Sequence, residues 1–259
     1  MRVSYRVLDT RSLEHAREEA LEAAAAEETV VAIGGDGLVG GLAGALMNTN
    51  SPLGIVPGGR GNDFARVLDI PKTPREAARL VVEGEEKLVD VAAVNGKPYV
   101  GIASVGFDSD ANRIANETKL VKGDLVYLYA GLRALAAWKD ATFEVTVDGE
   151  RHSVTGYCVA VANSKAYGGG MYLVPHAELD DGRLDVMLTG ASSKLHWLGS
   201  LPKVFKGKHV DDPTIQWLAG SSIEISADRP FTVYADGDPI ADLPVTVTVS
   251  KQALRVIAP

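Results

Sequence analysis

Two glycine-rich turns, each directly after a short apolar segment, carry the residue types best suited to hold a phosphate. The first, Gly34-Gly35-Asp36-Gly37, follows the β-branched residues 29–33, and the second, residues 57–63, follows the apolar residues 53–56. Glycine lets the backbone approach a ligand, and the free N–H groups at the start of a following helix attract anions. Because the carboxylate of Asp36 would repel a phosphate unless a cation lay between them, the first turn predicts a nucleotide bound together with a metal ion.

The elements that position these turns alternate between strand and helix, which predicts parallel βαβ units with ligands at the strand ends. We predict strands at residues 2–8, 29–33 and 53–56, and helices at 13–26, 38–47, 64–68 and 74–84. From about residue 86 the sequence becomes β-rich. Turn dipeptides recur there at Asn95-Gly96, Asp148-Gly149, Asp181-Gly182 and Asp236-Gly237, with helical insertions at 120–139 and 195–206. The sequence therefore predicts an α/β domain at residues 1–85 followed by an antiparallel β domain at residues 86–259.

Composition excludes several classes of protein. The chain has 259 residues, of which 46% are hydrophobic and 23% charged, as in globular proteins. Its net charge of −8 argues against a general nucleic-acid binder, although an acidic protein can bind a polyphosphate through Mg²⁺. The single cysteine, Cys158, lies in an apolar run and is interpreted as a core residue of a cytoplasmic protein. We expect neither a signal peptide nor a membrane span, because no segment approaches about 20 apolar residues.

The first glycine turn also satisfies the dinucleotide-binding pattern G-x-G-x-x-G between Gly35 and Gly40. That pattern expects an acidic residue at the end of the next strand, where it binds the ribose. Here the next strand ends in Ile55-Val56-Pro57-Gly58, without a carboxylate. An NAD(P)-dependent oxidoreductase therefore stays an alternative, although the chain lacks the acidic residue that this pattern expects. A tight turn without a ligand is the other alternative for the glycines alone.

Six motifs together carry a family resemblance. They occur in one order along the chain: Ile33 to Gly37, Pro57 to Arg66, Gly106 to Asp108, Asn163 with Tyr167 to Met171, Leu179 to Val186, and Ala235 to Asp238. This order resembles the bacterial diacylglycerol kinase family of soluble lipid kinases, which is related to sphingosine kinases and NAD kinases. The resemblance implies a nucleotide-binding α/β domain followed by a β-sandwich domain. It also implies transfer of the γ-phosphoryl group of ATP to a lipid hydroxyl, with diacylglycerol as the expected acceptor and phosphatidic acid as the product.

The same resemblance assigns roles to individual residues. The nucleotide would contact Gly34, Gly35, Asp36, Gly37, Leu38, Val39 and Gly40, with further contacts from Thr10, Gly59, Arg60 and Asn62. A catalytic Mg²⁺ would be held, largely through water, by Asp36, Asp63 and Asp108. A second, structural Mg²⁺ would be bound by Asp181 and the backbone carbonyls of Glu178 and Arg183. Asp238 stands where the family has a proton-accepting Glu.

Each acidic residue also has a structural alternative. Asp181-Gly182 and Asp236-Gly237 are typical of hairpin turns, and Asp63 could cap the helix that follows it. Asp108 could be a solvated loop residue and Asp238 a surface turn residue. Many relatives continue the first motif with Thr-x-Asn-Glu, whereas this chain has Leu38-Val39-Gly40-Gly41. Relatives also begin with a further strand–helix unit, so we expect either that this unit is absent here or that the sequence as given starts too late. A catalytically silent nucleotide- or lipid-binding protein of the same fold is therefore the alternative function.

A local basic segment predicts a membrane contact in this acidic chain. Its cations alternate with aromatic residues: Lys194, His196, Trp197, Lys203, Phe205, Lys206, Lys208 and His209. Such a segment could bind anionic headgroups while its aromatic side chains enter the interface, and a solvated helix face is the alternative. We thus expect a lipid substrate, peripheral and transient membrane association of a cytoplasmic protein, and no nucleic acid. An unpaired strand edge near the start of the chain could also favour a homodimer.

Overall fold

The computed structural model describes residues 4–118 and 125–259, apart from the side chains of residues 115–117 and 125–128. The helices are α1 (Leu13–Ala25), α2 (Asp36–Leu46), α3 (Asp63–Val67), α4 (Pro74–Glu83), α5 (Phe107–Glu117), α6 (Leu125–Ala137) and α7 (Lys194–Val204). The strands are β1 (Val30–Gly34), β2 (Leu53–Pro57), β3 (Glu85–Val94), β4 (Lys97–Tyr99), β5 (Ile102–Gly106), β6 (Ala141–Val147), β7 (Glu150–Ala162), β8 (Leu184–Gly190), β9 (Ile215–Gly220), β10 (Ser222–Ala227), β11 (Thr232–Ala235), β12 (Asp238–Asp242) and β13 (Val245–Ala258).

The first region, residues 4–84, contains the predicted βαβ arrangement. Strands β1 and β2 are parallel, with Gly34 opposite Pro57, so both glycine turns leave the sheet at the same edge. Local capping explains two helix starts: the hydroxyl of Ser12 accepts a hydrogen bond from the His15 N–H at the start of α1, and Thr73 does the same for Glu76 in α4. The predicted helices of this region are confirmed to within two residues at each end.

The predicted strand at residues 2–8 was wrong for its described part, residues 4–8, while residues 1–3 lie outside the described residues. Residues 4–10 form no secondary structure, and the side chains of Tyr5 and Val7 are 84% and 71% exposed. An alternating apolar pattern forms a strand only where a neighbouring strand completes its hydrogen bonds. Here the segment is attached instead by an exposed ion pair, Arg6 Nη2 to Glu28 Oε2 at 2.9 Å.

The second region, residues 85–259, is built mainly of antiparallel strands joined by short turns. Asn95-Gly96, Asp148-Gly149 and Asp236-Gly237 each have positive φ at both residues and connect paired strands, which confirms these three as hairpin turns. Asp181-Gly182 is not a hairpin, because it precedes β8, which pairs with β7 and β9. Helix α5 was not predicted, although Asp108 and Asp110 in its first turn are a helix-start signal.

Strand β13 joins the two regions. Its first residues pair with β10, whereas Val256 pairs with Leu53 of β2. The strands of both regions therefore belong to one continuous sheet, with the order β1-β2-β13-β10-β6-β7-β5-β11-β12. Leu254 and Val256 are fully buried in the same hydrophobic core as Leu53 and Leu42 of the first region. Each such burial contributes about 1.5–3 kcal/mol, so the C-terminal strand fixes the first region against the second.

Candidate active site

The two glycine turns are packed directly against each other at the ends of β1 and β2. The Gly58 N–H donates a 2.8 Å hydrogen bond to the Gly34 carbonyl. A Cβ atom added to Gly59 would lie 2.5 Å from the Gly35 Cα, closer than any side chain can approach. Glycine at these positions is therefore required by the contact between the turns. The two turns form one continuous backbone surface, as their position after neighbouring parallel strands predicts.

Asp36 holds the second turn by capping α3. Its Oδ2 accepts from the Asn62 N–H and its Oδ1 from the Asp63 N–H, both at 2.7 Å. Asn62 has a left-handed backbone with φ of 51°, and its side chain exchanges two hydrogen bonds with the backbone of Gly59. The cap of α3 is thus supplied by Asp36 from the first turn, while Asp63 is the first residue of that helix. Asp36, Asn62 and Gly59 are brought together, as the sequence predicts.

Asp63 connects the first region to the second. Its Oδ2 accepts a 2.7 Å hydrogen bond from the Gly169 N–H, in the loop of residues 163–171. Its Oδ1 lies 3.7 Å from Arg66 Nε but is buried and accepts no hydrogen bond from the described residues. Burial raises the pKa of the Asp63 carboxyl, the neighbouring Asp36 raises it further, and Gly169 and Arg66 lower it only in part. The site therefore holds a carboxylate oxygen whose charge the chain compensates incompletely.

Asp236 was missed as a site residue by sequence analysis, which interpreted it only as a turn. Its carboxylate accepts three backbone hydrogen bonds, from Gly101 at 2.9 Å, Val100 at 3.0 Å and Ile102 at 3.2 Å. Burial raises its pKa to about 6 against these bonds, with a further contribution from Asp36. Its Oδ2 would lie 3.6 Å from a Cβ at Gly40. The Asp236-Gly237 turn therefore lies against the start of α2.

Asp108 approaches the same place from the start of α5. Burial raises the pKa of this carboxyl to about 6, and the hydroxyl of Ser104 lowers it only slightly. The pKa of Tyr167 is raised to about 12, first by burial and then by Asp108, with a smaller contribution from Asp236. We define the cleft as the space bounded by the two glycine turns, the loop 163–171, the start of α5 and the Asp236-Gly237 turn. Four carboxylates surround it: Asp36, Asp63, Asp108 and Asp236.

The other predicted residues differ in their exposure. Asp238 is exposed at the start of β12, opposite Ala235, and its side chain has no hydrogen bond or ion pair within the described part of the chain. Thr10 and Arg60 are also exposed and form no such contact with the residues described. Val39 is 3% exposed with its side chain in the core, so it can reach a nucleotide only through its backbone. Leu38 packs over Gly34, where an added Cβ would lie 2.9 Å from it.

The predicted structural metal site lies in a separate acidic loop before β8. Asp181 Oδ1 accepts a 2.8 Å hydrogen bond from the Arg183 N–H. Burial raises the pKa of the nearby Asp185, His176 lowers it, and both Asp181 and Glu178 raise it again. No cluster of three or more His, Cys, Asp or Glu side chains arranged to hold a metal is found among the residues that the structure describes.

Asp90, on β3, anchors this loop and was also missed. It is fully buried, and its carboxylate accepts 2.6 Å hydrogen bonds from the Gly182 N–H and from the Gln252 N–H of β13. Its own N–H donates to the Leu179 carbonyl. The sequence shows Asp90 only as one polar residue in an apolar strand, and nothing near it indicates partners more than 90 residues away.

Comparison with known proteins decides the family. Residues 1–94 match the family model described as diacylglycerol kinase catalytic domain, and residues 101–258 match the YegS C-terminal NAD kinase beta sandwich-like domain. The chain belongs to the diacylglycerol kinase family of lipid kinases. This lipid kinase is 34% identical over 254 residues to a diacylglycerol kinase of Mycobacterium tuberculosis, covering 95% of this chain and 82% of the relative.

One further relative supports this assignment, and a solved structure shows the same fold. A probable lipid kinase YegS-like of Yersinia enterocolitica is 34% identical to this lipid kinase over 249 residues, covering 92% of this chain and 81% of the relative. A crystal structure of a diacylglycerol kinase from Bacillus anthracis, 23% identical, superimposes with a TM-score of 0.75 and covers 97% of this chain and 84% of that one. The predicted fold, an α/β domain followed by a β-sandwich domain, is confirmed. The family model and the relative from Mycobacterium tuberculosis confirm the enzyme class.

Family membership also defines what the cleft must do. A kinase uses ATP as its co-substrate, and phosphoryl transfer depends mainly on positioning and charge neutralisation. In this lipid kinase the backbone surface of the two glycine turns lies beside four carboxylates drawn from both regions. Among the described residues, no helix has the length and apolar character needed to span a membrane.

Proposed function

We propose that this lipid kinase transfers the γ-phosphoryl group of ATP to the hydroxyl of diacylglycerol, giving phosphatidic acid. The observation that carries the proposal is the hydrogen bonding of Asp36, which joins the two glycine turns into one surface beside the cleft. The first N–H groups of α2 lack partners within the helix and suit the phosphates of a nucleotide. Gly34 to Gly40, with Gly59, Arg60 and Asn62, would contact the nucleotide, and Thr10 is proposed as a further contact.

The described residues hold no group of three acidic side chains already arranged for a metal, but Asp63 offers an oxygen that suits a divalent cation. Asp63 Oδ1 is buried without a hydrogen bond from the described chain, and the negative charge of Asp36 raises the pKa of the same carboxyl. Oxygen ligands of this kind suit Mg²⁺, which keeps much of its water. Asp36, Asp63 and Asp108 would hold the ion, whose chemistry is to neutralise charge on the phosphates. A second Mg²⁺ at Asp181, with the carbonyls of Glu178 and Arg183, would reduce repulsion in the acidic loop.

Asp238 is the proposed acceptor of the proton from the lipid hydroxyl. It follows the turn that Asp236 fixes through three backbone hydrogen bonds, so the hairpin presenting Asp238 is held in place. Its exposure at the margin of the cleft leaves it open to an acceptor arriving from outside. A general base of this kind contributes about 10²–10⁴-fold to the rate.

A catalytically silent protein of the same fold is the second candidate. It is favoured by Leu38 and Val39, because the first packs over Gly34 and the second is buried, so neither offers a hydroxyl or amide to a phosphate. ATP and Mg²⁺ would raise the melting temperature of such a protein, but it would not catalyse phosphoryl transfer. Stabilisation by NADH and not by ATP would instead support an oxidoreductase.

The experiment that tests the proposal is transfer of label from γ-labelled ATP to a panel of lipid alcohols in mixed micelles with Mg²⁺. Wild type and Asp242→Asn, a matched control on the same β12 strand, should label diacylglycerol. Asp238→Asn should lose about 10²–10⁴-fold. Label in no lipid, despite binding of ATP, would contradict the proposal and support the silent protein.

We also propose that the enzyme meets its acceptor at a membrane surface and that two copies can associate. Among the described strands β1 pairs only with β2, so its outer edge is open to a second chain. Sedimentation velocity across a range of protein concentrations tests the dimer, and a monomer at all concentrations would contradict it.

A further inference from the structure

The segment around α7 concentrates positive charge on an acidic protein. Residues 191–210 contain four lysines and no Asp or Glu, in a chain with a net charge of −8. All four are exposed: Lys194, Lys203, Lys206 and Lys208. Two acids follow the segment, the exposed Asp211 and Asp212, and the second is engaged with His196 Nε2 at 2.8 Å and with Thr214. The charge of the lysines therefore faces solvent without a matching acid on the same segment.

The outward face of α7 is apolar. Leu195, Gly199 and Pro202 follow the i, i+4, i+7 spacing of one helix face, and all three are exposed. The Leu195 side chain is 81% exposed, and Phe205, directly after the helix, is 53% exposed. A helix that simply meets water places polar residues on this face. Apolar residues flanked by lysines suit the boundary between headgroups and acyl chains of a lipid surface.

The inward face of α7 is anchored beside the cleft. The Trp197 ring lies 4.3 Å from the ring of Phe107, the residue before Asp108, and 5.6 Å from that of Tyr157. The expectation that Trp197 enters a membrane interface was therefore wrong, because aromatic packing in the core holds its ring inward. Phe205 and Leu195 are the apolar side chains that remain available.

The end of α7 is also bonded to the chain that follows the cleft loop. The Tyr172 N–H donates to the Val204 carbonyl at 3.2 Å, and His209 Nε2 lies 2.8 Å from the Leu173 carbonyl. Residues 172–173 directly continue the loop 163–171, whose Gly169 N–H donates to Asp63. A surface held by α7 is thus connected to the cleft through one short stretch of backbone.

We propose that α7 and the turn after it bind the surface of a bilayer containing anionic phospholipids, through Leu195 and Phe205 and the exposed lysines Lys203, Lys206 and Lys208. This contact holds the cleft against the membrane from which the acceptor comes, a consequence that rests on the proposed function. The charge complementarity selects an anionic lipid surface over a zwitterionic one.

Vesicle co-sedimentation without ATP tests the contact independently of catalysis. Wild type should bind phosphatidylglycerol-containing vesicles and bind pure phosphatidylcholine vesicles at least about tenfold more weakly. Lys203→Glu combined with Lys206→Glu should lose about tenfold or more, whereas Lys72→Glu with Lys87→Glu, a matched pair of exposed lysines elsewhere, should not. Leu195→Ser should also weaken binding and Val82→Ser, on α4, should not. Circular dichroism and thermal melting confirm that each variant is folded.

Activity on two forms of the acceptor separates this inference from the proposed function. With a short-chain diacylglycerol dissolved in buffer, the Lys203→Glu and Lys206→Glu double variant should retain wild-type activity, and with long-chain diacylglycerol in anionic vesicles it should lose it. Unchanged vesicle binding by this variant, or equal loss in the Lys72 and Lys87 control, would overturn the docking proposal. Wild type that binds vesicles but phosphorylates neither form would contradict the proposed function alone.

Discussion

The carboxylates of the cleft and those of the outer loops of the second region have opposite electrostatic surroundings. In the cleft, burial raises the pKa of Asp63, and it raises the pKa of Asp108 and Asp236 to about 6. In the outer loops, backbone and hydroxyl hydrogen bonds lower the pKa of Asp148. Burial opposes ionisation of Asp212, yet hydrogen bonds from neighbouring side chains and backbone lower its pKa to about 2.

The difference shows where the chain compensates its own negative charge and where it does not. Asp148 and Asp212 receive enough donors to stay ionised, so they serve the fold. In the cleft, the charge of Asp36 raises the pKa of Asp63 in the first region and of Asp236 in the second, and such repulsion is costly unless a cation is bound. Similar Asp-Gly sequences therefore serve different purposes according to the donors that the fold brings to them.

The largest expected effect comes from removing one charge from the cleft. Asp36→Asn keeps a side chain of the same shape but halves its acceptors for the N–H groups of Asn62 and Asp63 and weakens cation binding. We expect phosphoryl transfer to fall on the order of 10²–10³-fold, the range for losing one preorganised electrostatic group. Asp148→Asn, the outer-loop control, should leave the steady-state rate unchanged. Equal losses in the two variants would remove the distinction between the regions.

The pH dependence of stability at Asp212 tests the electrostatic surroundings of the outer-loop carboxylates. Its folded pKa of about 2 lies below the ordinary value, so its ionised form stabilises the protein above about pH 4, and this contribution disappears as the pH falls towards 2. Asp212→Asn should lower the free energy of unfolding by about 2 kcal/mol at pH 7 and much less near pH 2. Urea denaturation at both pH values measures this. If Asp212→Asn lost the same free energy of unfolding at both pH values, the charge of Asp212 would not be the cause of the loss.

The contribution of Asp108 to stability should change with pH in the opposite direction. Its folded pKa of about 6 is raised, so any stability that it contributes is complete below about pH 4 and is lost as the pH rises through 6. Asp108→Asn should therefore raise the free energy of unfolding at pH 7 by about 1 kcal/mol, with no gain at pH 4, in the presence of a chelator. Destabilisation at pH 7 in urea denaturation would contradict the assignment of Asp108 to the uncompensated set.

Arg60 should give the smallest effect. It is exposed on the second glycine turn, and exposed charges contribute about 0–1 kcal/mol. Arg60→Ala should raise the KM for ATP by up to about fivefold with little change in kcat. Steady-state kinetics at varied ATP measures this, with Arg75→Ala on α4 as the matched exposed control. A large fall in kcat would place Arg60 much closer to the reacting phosphate than the structure indicates.

Local signals made much of the fold predictable. Asn-Gly and Asp-Gly dipeptides adopt left-handed conformations at low cost, so the turns at Asn95, Asp148 and Asp236 could be predicted from two residues each. The two glycine turns follow β-branched or apolar strands, and their meeting at one sheet edge follows from parallel pairing. The family motifs then supplied the residues expected around the cleft.

Long-range partners account for what could not be predicted. Asp90 accepts from residues 92 and 162 positions away, and Asp236 from residues about 135 positions away, and no local pattern encodes such pairs. The later half of the 14-residue strand β13 belongs to the core of the other region, and no local pattern indicates this placement. The failed strand at residues 4–8 has the same cause, since strand formation depends on a neighbour that sequence alternation does not supply.

The central claim is that the uncompensated charge of the cleft binds the divalent cation used in lipid phosphorylation. The most direct test is label transfer from ATP to diacylglycerol as free Mg²⁺ is raised from zero in a chelator-buffered assay, for wild type and Asp63→Asn. We expect no transfer without a divalent cation, a saturable response in wild type, and a higher Mg²⁺ requirement in the variant. Transfer that persists without divalent cations, or the same Mg²⁺ dependence in both proteins, would contradict the account.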